Sequence, residues 1–148
     1  MAKKGSTGSG RTRNYATVVY PESAPENWIE NLSGCFVPCF ISPLHDKDSN
    51  PTGEAKKAHY HVLIMFDSVK TIEQAREICE KIGGVGCEKV NSLRGYARYL
   101  CHLDNPEKFQ YTPSEVKNSR LLAERYNLFY TDILIIYHAT RIDVICPT

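Results

Sequence analysis

His59 and His61 stand two positions apart in the run HYHVLIMF, residues 59–66. In an extended strand that spacing puts both imidazoles on one face, about 7 Å apart at the backbone, so both can reach one ion. Upstream, ISPLHDKD offers His45, Asp46 and Asp48 as one nitrogen and two hard oxygen ligands, and three of the five histidines fall within residues 45–61. Imidazole and carboxylate without thiolate suit Mn²⁺ or Mg²⁺, with Zn²⁺, Co²⁺ or Ni²⁺ also able to bind in vitro. A pair of partly exposed strand histidines would carry the same HxH spacing, and it is the added HDKD segment that favours a metal centre. A cation held this way acts as a Lewis acid on a phosphate oxygen during an in-line displacement. That chemistry needs a nucleophile. A tyrosine outside the core supplies one, because its phenolate can attack phosphorus and keep the energy of the broken diester in a phosphotyrosine.

The nucleophile is sought on a helix. Ser92 is a natural N-cap, and Leu93, Tyr96, Ala97, Leu100 and Cys101 follow at helical spacing, so those five should face the core. At about 100° per residue, Tyr99 lies roughly 130° from the centre of that stripe. Packing within the helix therefore leaves Tyr99 unexplained, and Tyr96, on the edge of the stripe, is the alternative. With nine tyrosines in the chain, spacing alone does not single out either.

The elements that must position these groups follow from the hydrophobic pattern. Asn14 to Tyr20 is β-branched and aromatic and ends at Pro21, which predicts a strand, and Pro25 to Asn31 predicts a short helix. Cys35 to Ser42 reads as a second strand, with Pro38 arguing for an edge position or a bulge. His59 to Phe66 is the clearest strand, with His59, His61, Leu63 and Met65 on one face and Tyr60, Val62, Ile64 and Phe66 on the other. Thr71 with Gln74 forms a capping box ahead of a helical stripe of Ile72, Ala75, Cys79 and Ile82 that Gly83 stops. Gly86 to Val90 and Phe109 to Tyr111 read as short strands, the first at an edge. Beyond Pro113 the pattern weakens to a helix over Ser119 to Tyr130 and a strand over Asp132 to Tyr137. The sum is an α+β fold, a small antiparallel sheet with two helices on one side.

In that order and at those separations, ISPLHDKD, KKAHYHVLIMF and YARYLCH resemble the three motifs of the HUH endonuclease superfamily, and within it the plasmid rolling-circle replication initiators of the Rep_2 type. HYH matches the His–hydrophobic–His motif with Tyr60 in the middle, YPES at Tyr20 to Ser23 is also similar, and the likeness covers about residues 14–112. It implies a ferredoxin-like or RRM-like sheet with the histidine strand central. It also implies that His45, Asp48, His59 and His61 are the metal ligands, with Mn²⁺ or Mg²⁺ as the ion, and that Tyr99 is the catalytic nucleophile, Tyr96 being the alternative. The implied reaction is nicking and rejoining of one strand of plasmid origin DNA through a 5′-phosphotyrosine, leaving a 3′-OH primer. Single- and double-stranded origin DNA, a host helicase and a host polymerase are the implied partners. A mobilisation relaxase or transposase of the same superfamily would use the same chemistry. A non-catalytic metal- or DNA-binding module is the rival of another class.

Charge adds a path for DNA. Lys47, Lys56 and Lys57 flank the ligand segments, and Arg94 and Arg98 flank Tyr99, so these five could track a phosphate backbone. Residues 1–13 hold Lys3, Lys4, Arg11 and Arg13 with no acid, which reads as a flexible basic arm, and the remaining 14 bases and 17 acids leave the body at −3. The 148 residues make one domain of ordinary globular composition, 42% hydrophobic and 24% charged. The longest mainly apolar stretch, Leu128 to Tyr137, falls well short of the ~20 residues that span a bilayer. With no apolar secretion signal after Lys3 and Lys4, a bacterial cytoplasmic location is expected. The six cysteines include no CxxC pair and read as reduced thiols, a zinc site on Cys35 and Cys39 being the lesser reading. Residues 113–148 match no part of the resemblance that we can place. Their apolar close, DILIIYHATRIDVICPT, reads as a diverged or truncated tail such as a change of reading frame would produce, an idea that a stable oligomer formed through residues 117–148 would overturn.

Overall fold

The alternation in HYHVLIMF organises the sheet. In the computed structural model, which describes residues 10–118, strand β3 (Tyr60–Lys70) lies at the centre, antiparallel to β1 (Thr12–Val19) on one side and β2 (Cys39–Ile41) on the other. A fourth strand, β4 (Val85–Lys89), pairs with β1, and β5 (Lys117–Asn118) pairs with β2, giving the all-antiparallel order β4-β1-β3-β2-β5. Helix α1 (Trp28–Ser33) connects β1 to β2, and α2 (Ile72–Lys81) connects β3 to β4. This is the ferredoxin-like split βαβ arrangement, extended by β5 and by helix α3 (Leu93–Tyr99).

Because side chains alternate across a strand, β3 serves two cores. Val62 and Ile64 pack with Trp28 and Leu32 of α1 and with Cys79 and Ile82 at α2. Leu63 and Met65 pack on the other face with Phe40, Val90, Leu100, Cys101, Tyr111 and Val116. Each fully buried aliphatic side chain contributes about 1.5–3 kcal/mol. The face assignments read from the sequence hold residue by residue. So α1 and α2 back the sheet, and α3 lies on the face that carries the histidines.

Helix α2 is bounded as expected at both ends. Gln74 N–H donates to Thr71 Oγ1 at 3.2 Å, and the Gln74 side chain accepts from Thr71 N–H at 2.9 Å. At the C-terminus Gly83 N–H donates to the Glu80 carbonyl at 3.1 Å and Gly84 N–H to the Cys79 carbonyl at 2.7 Å, the two bonds of a Schellman motif. Gly83 adopts φ +71° there.

Several boundaries differ from the expectation. Thr12 and Arg13 join β1, and β3 runs on past Phe66, because after a bulge the ladder continues to Thr12 against Lys70. Tyr15 fastens this end, its hydroxyl donating to the Lys70 carbonyl at 2.6 Å. The second strand shrinks to three residues because Cys35 and Phe36 are spent on the turn that closes α1, where Phe36 takes φ +51°. Nor is it an edge: β5 covers its outer side, and Pro38 precedes it with a carbonyl that accepts from Met65 N–H. Phe109 to Tyr111 is loop, since Tyr111 N–H turns back to the Cys101 carbonyl at the end of α3. The readings over residues 1–9, the helix at 119–130 and the strand at 132–137 lie outside the described residues.

All the described cysteines are free thiols, and burial pushes Cys79 and Cys101 up to about 12. The ligand-type clusters among the described residues include no cysteine. Among the described residues no helix is long and apolar enough to cross a membrane.

Gly83→Ala tests the α2 terminus. A Cβ there would meet Pro25 Cδ at 2.7 Å in addition to the left-handed backbone, so the variant should lose more than ~1 kcal/mol. A urea titration with unchanged midpoint would show that the turn relaxes freely.

Candidate active site

Four histidines and one aspartate converge where β3 begins. A short antiparallel bridge brings His45 beside His59, each N–H donating to the other's carbonyl at 2.8 and 3.2 Å. His61 N–H donates to Ser42 Oγ at 2.9 Å, which sets the loop that delivers His45 and Asp48. The fourth imidazole, His102, comes from just beyond α3, where φ +59° turns the chain back. Around His45 the ring centroids of His59, His61 and His102 lie at 5.3, 4.7 and 4.6 Å. All four histidines are buried.

Backbone carbonyls decide which ring nitrogens carry protons. His45 Nε2 lies 2.8 Å from the Leu100 carbonyl, His59 Nδ1 2.8 Å from that of Lys57, and His102 Nδ1 3.0 Å from that of Phe109. A carbonyl only accepts, so each of these nitrogens is an N–H and a neutral ring is left with its other nitrogen bare. Those other nitrogens surround Asp48 Oδ2: His45 Nδ1 at 3.3 Å, His59 Nε2 at 3.7 Å and His102 Nε2 at 3.9 Å. Lone pairs facing a carboxylate repel one another unless positive charge lies between them. Protonating His45 or His61 is disfavoured. Burial is the main cause for both, and for His61, taken down to about 3, the neighbouring imidazoles add to it. His45 Nδ1 is moreover a buried nitrogen with no hydrogen-bond partner. Ligand atoms of His45, His59 and His61, and of His45, Asp48 and His102, lie within 4.8 Å of one another. The donor set fits a divalent cation, with a backbone hydrogen bond behind three of the imidazoles as metal-ligating histidines require.

Asp48 is itself held. Its Oδ1 accepts from the Tyr111 hydroxyl at 2.7 Å, and the same hydroxyl accepts from Lys47 N–H at 3.0 Å. Burial works against ionising this carboxyl, but the Tyr111 hydrogen bond and the neighbouring imidazoles outweigh it and bring its pKa below the usual value. The Tyr111 ring stacks on His45 at 4.1 Å and 6°.

Tyr99, the last residue of α3, is half-buried with its ring 5.0 Å from that of His61 and 5.6 Å from that of His102. With His59, His61, Tyr20, Lys56 and Lys57 it lines an open cleft of about 400 Å³. Burial, and then the charges of Asp48 and Glu88, raise its pKa. Tyr96 packs against the core, and its hydroxyl lies 3.4 Å from His61 Nδ1.

The structure thus gathers His45, Asp48, His59, His61 and Tyr99 and puts Lys56 and Lys57 beside them. Lys47 lies in an adjoining cleft of about 390 Å³ that Lys56 also lines. Of the two arginines, Arg98 pairs with Asp104, Nε to Oδ1 2.6 Å, and neither it nor Arg94 lines either cleft. Asp46 is exposed and outside the ligand clusters. His102 was not anticipated. The signal for it is its place in YLCH, three residues past Tyr99 and so about one turn on.

A family profile described as plasmid replication protein, origin binding domain, matches residues 7–121. The chain belongs to that family. Among similar proteins, the replication protein RepB of Lactiplantibacillus plantarum is 46% identical over 107 residues, which are 72% of this chain and 48% of the relative. A replication protein of Staphylococcus aureus is 39% identical over 108 residues, 73% of this chain and 54% of the relative. The chain therefore spans about half the length of these relatives.

The lone-pair geometry of this origin-binding-domain member can be checked by titration. Mn²⁺ at a hundredfold excess over its Kd should stabilise the metal-free protein by ~2.7 kcal/mol, and Asp48→Ala should abolish the gain. Tyr111→Phe, which removes the hydrogen bond to Asp48, should weaken Mn²⁺ binding about tenfold. A thermal midpoint indifferent to Mn²⁺ in the wild type would mean that protons balance the cluster instead.

Proposed function

We propose that this domain is the origin-binding and nicking unit of a rolling-circle plasmid replication initiator, an HUH endonuclease of the Rep_2 type. It would bind plasmid origin DNA and cut one strand, with Tyr99 as nucleophile and a Mn²⁺ or Mg²⁺ ion held by His45, Asp48, His59 and His61. His102 extends that donor set. The observation that carries the reading is the placement of the Tyr99 ring within 5.6 Å of two members of a histidine cluster, in a cleft open to solvent and edged by lysines.

When bound, the cation supplies positive charge to a non-bridging oxygen of the scissile phosphodiester. The chain's own residues do the rest. Lys56 and Lys57 attract the phosphate backbone to the cleft. Tyr99 Oη gives up its proton and bonds to phosphorus as the bond from phosphorus to the 3′ oxygen breaks. That oxygen takes up a proton and leaves as the 3′-OH, so one diester replaces another and no electron is exchanged. The half-buried position of Tyr99 keeps competing water from much of the phenol, and the ring contacts with His61 and His102 restrict its approach. Tyr96 is poorer placed, because its ring packs into the core and its hydroxyl is engaged with His61. The released 3′-OH would serve a polymerase as primer.

Covalent trapping tests this directly. Wild type, Tyr99→Phe and Tyr96→Phe are incubated with Mn²⁺ and single-stranded oligonucleotides from the plasmid's own origin and resolved on a denaturing gel. A metal-dependent adduct in the wild type and in Tyr96→Phe, lost at least a thousandfold in Tyr99→Phe, is the expected outcome. Origin binding without an adduct in any of the three would make the domain a binding module.

A further inference from the structure

Resting on that reading, we infer that the cleft around Phe109 is a nucleotide subsite: it stacks one base of the single strand beside the scissile phosphate. Phe109 is large, apolar and 44% exposed, lies outside the buried core cluster and meets Tyr111 edge-on, ring centroids 4.9 Å apart. Lys47 Nζ lies 4.8 Å from the centre of that ring, and Lys47, Lys56 and Lys108 all line the cleft around it. Glu107 and Asp48 line it too, but Asp48 faces the imidazole cluster and Glu107 lies within 3.4 Å of Asn105. Cations around an exposed aromatic face suit a nucleotide, whose base stacks while its phosphates meet the lysines.

Position makes the site part of a path. Asn50 and Lys56 line both this cleft and the one that holds Tyr99, so the two adjoin. Lys108 joins them a second time, lining the Phe109 cleft while its Nζ stands 5.6 Å above the Tyr99 ring. A strand laid with its reacting phosphate at Tyr99 therefore puts a neighbouring nucleotide over Phe109. The backbone beneath is fixed independently of the ring, since the Phe109 carbonyl accepts from His102 Nδ1. A duplex would keep its bases paired and unable to stack there, so the occupant is single-stranded DNA.

The test uses the full chain, fluorescein-labelled oligothymidylate and a duplex from the plasmid origin, followed by anisotropy. Phe109→Ala should weaken binding of the single strand about tenfold and leave duplex affinity unchanged. Phe109→Trp should retain wild-type affinity, and the added indole emission should be quenched by the oligonucleotide. Lys47→Ala and Lys108→Ala should each lower the slope of log affinity against log salt by about 0.7. Equal single-strand affinity in Phe109→Ala and wild type overturns the subsite while leaving the nicking chemistry standing. Equal losses for single strand and duplex overturn it in favour of general docking. A wild type that binds no single strand takes the nicking proposal down with it.

Discussion

A carboxylate faced by nitrogens of three buried imidazoles is the constraint around which this domain is arranged. The chain holds the imidazoles with backbone carbonyls and the carboxylate with the Tyr111 hydroxyl. Three carbonyls, those of Lys57, Leu100 and Phe109, each fix the tautomer of one histidine. They come from three separate segments: the approach to β3, the end of α3 and the loop returning from it. The Leu100 carbonyl is one of those that a helix leaves unsatisfied at its C-terminus. His45 therefore completes the helix terminus with the same hydrogen bond that aims its Nδ1 at Asp48. Helix capping and assembly of the centre are one interaction, so α3 cannot shift without disturbing both. The turn that follows sets His102 at φ +59°, a left-handed conformation that costs a side-chain-bearing residue roughly 1–2 kcal/mol. Burial of Leu100 and Cys101 beside it holds the turn in place.

The sheet supplies the rigidity. Strand β3 carries its histidines at the end of a row that continues through Leu63 and Met65, so the centre sits at the rim of a dry core. On the opposite face Tyr60 packs against Trp28, ring centroids 5.4 Å apart, and Val62 and Ile64 meet α1 and α2. A register slip of one residue would exchange His61 for Tyr60 or Val62 and bury the imidazoles among helices. Ser42 guards against it, bonding to His61 through both its backbone N–H and its side-chain oxygen. The scaffold is thus rigid where the histidines attach, and the lysine-lined clefts open from its edge.

Much of this was legible in the sequence for a simple reason: strand and helix periods are strict. The period of two in HYHVLIMF placed His59 and His61 with Leu63, and the helical stripe after Ser92 set Tyr99 apart from Leu93, Ala97 and Leu100. Loops obey no such period. Asp46 and Asp48 are both carboxylates in one loop that periodicity does not separate; the resemblance singled out Asp48, and the fold sets it among the imidazoles while Asp46 is exposed. His102 escaped because the apolar pattern continues through Cys101, whereas α3 ends at Tyr99 and the chain turns left-handed three residues later. Tyr111 and Phe109 read as strand because aromatic residues favour sheets, yet their backbone is committed to Cys101 and His102 instead. The arginines of α3 lie on a helix beside the site, and helix geometry alone could not show that Arg98 is turned toward Asp104.

The electrostatics link the centre to Tyr99. After burial, the charge of Asp48 is the leading cause of the raised Tyr99 pKa. The carboxylate that gathers the imidazoles thus opposes ionisation of the phenol next to them. Linkage works in both directions: neutralising the field of Asp48 favours the phenolate by the same free energy with which the phenolate favours a neutralised cluster. Tyr96 shares the burial penalty, but its remaining causes are Glu88 and Tyr99, not Asp48. Of the two tyrosines, only Tyr99 has the charge of Asp48 among the causes of its raised pKa, whereas Tyr96 meets the centre through its hydroxyl at 3.4 Å from His61 Nδ1.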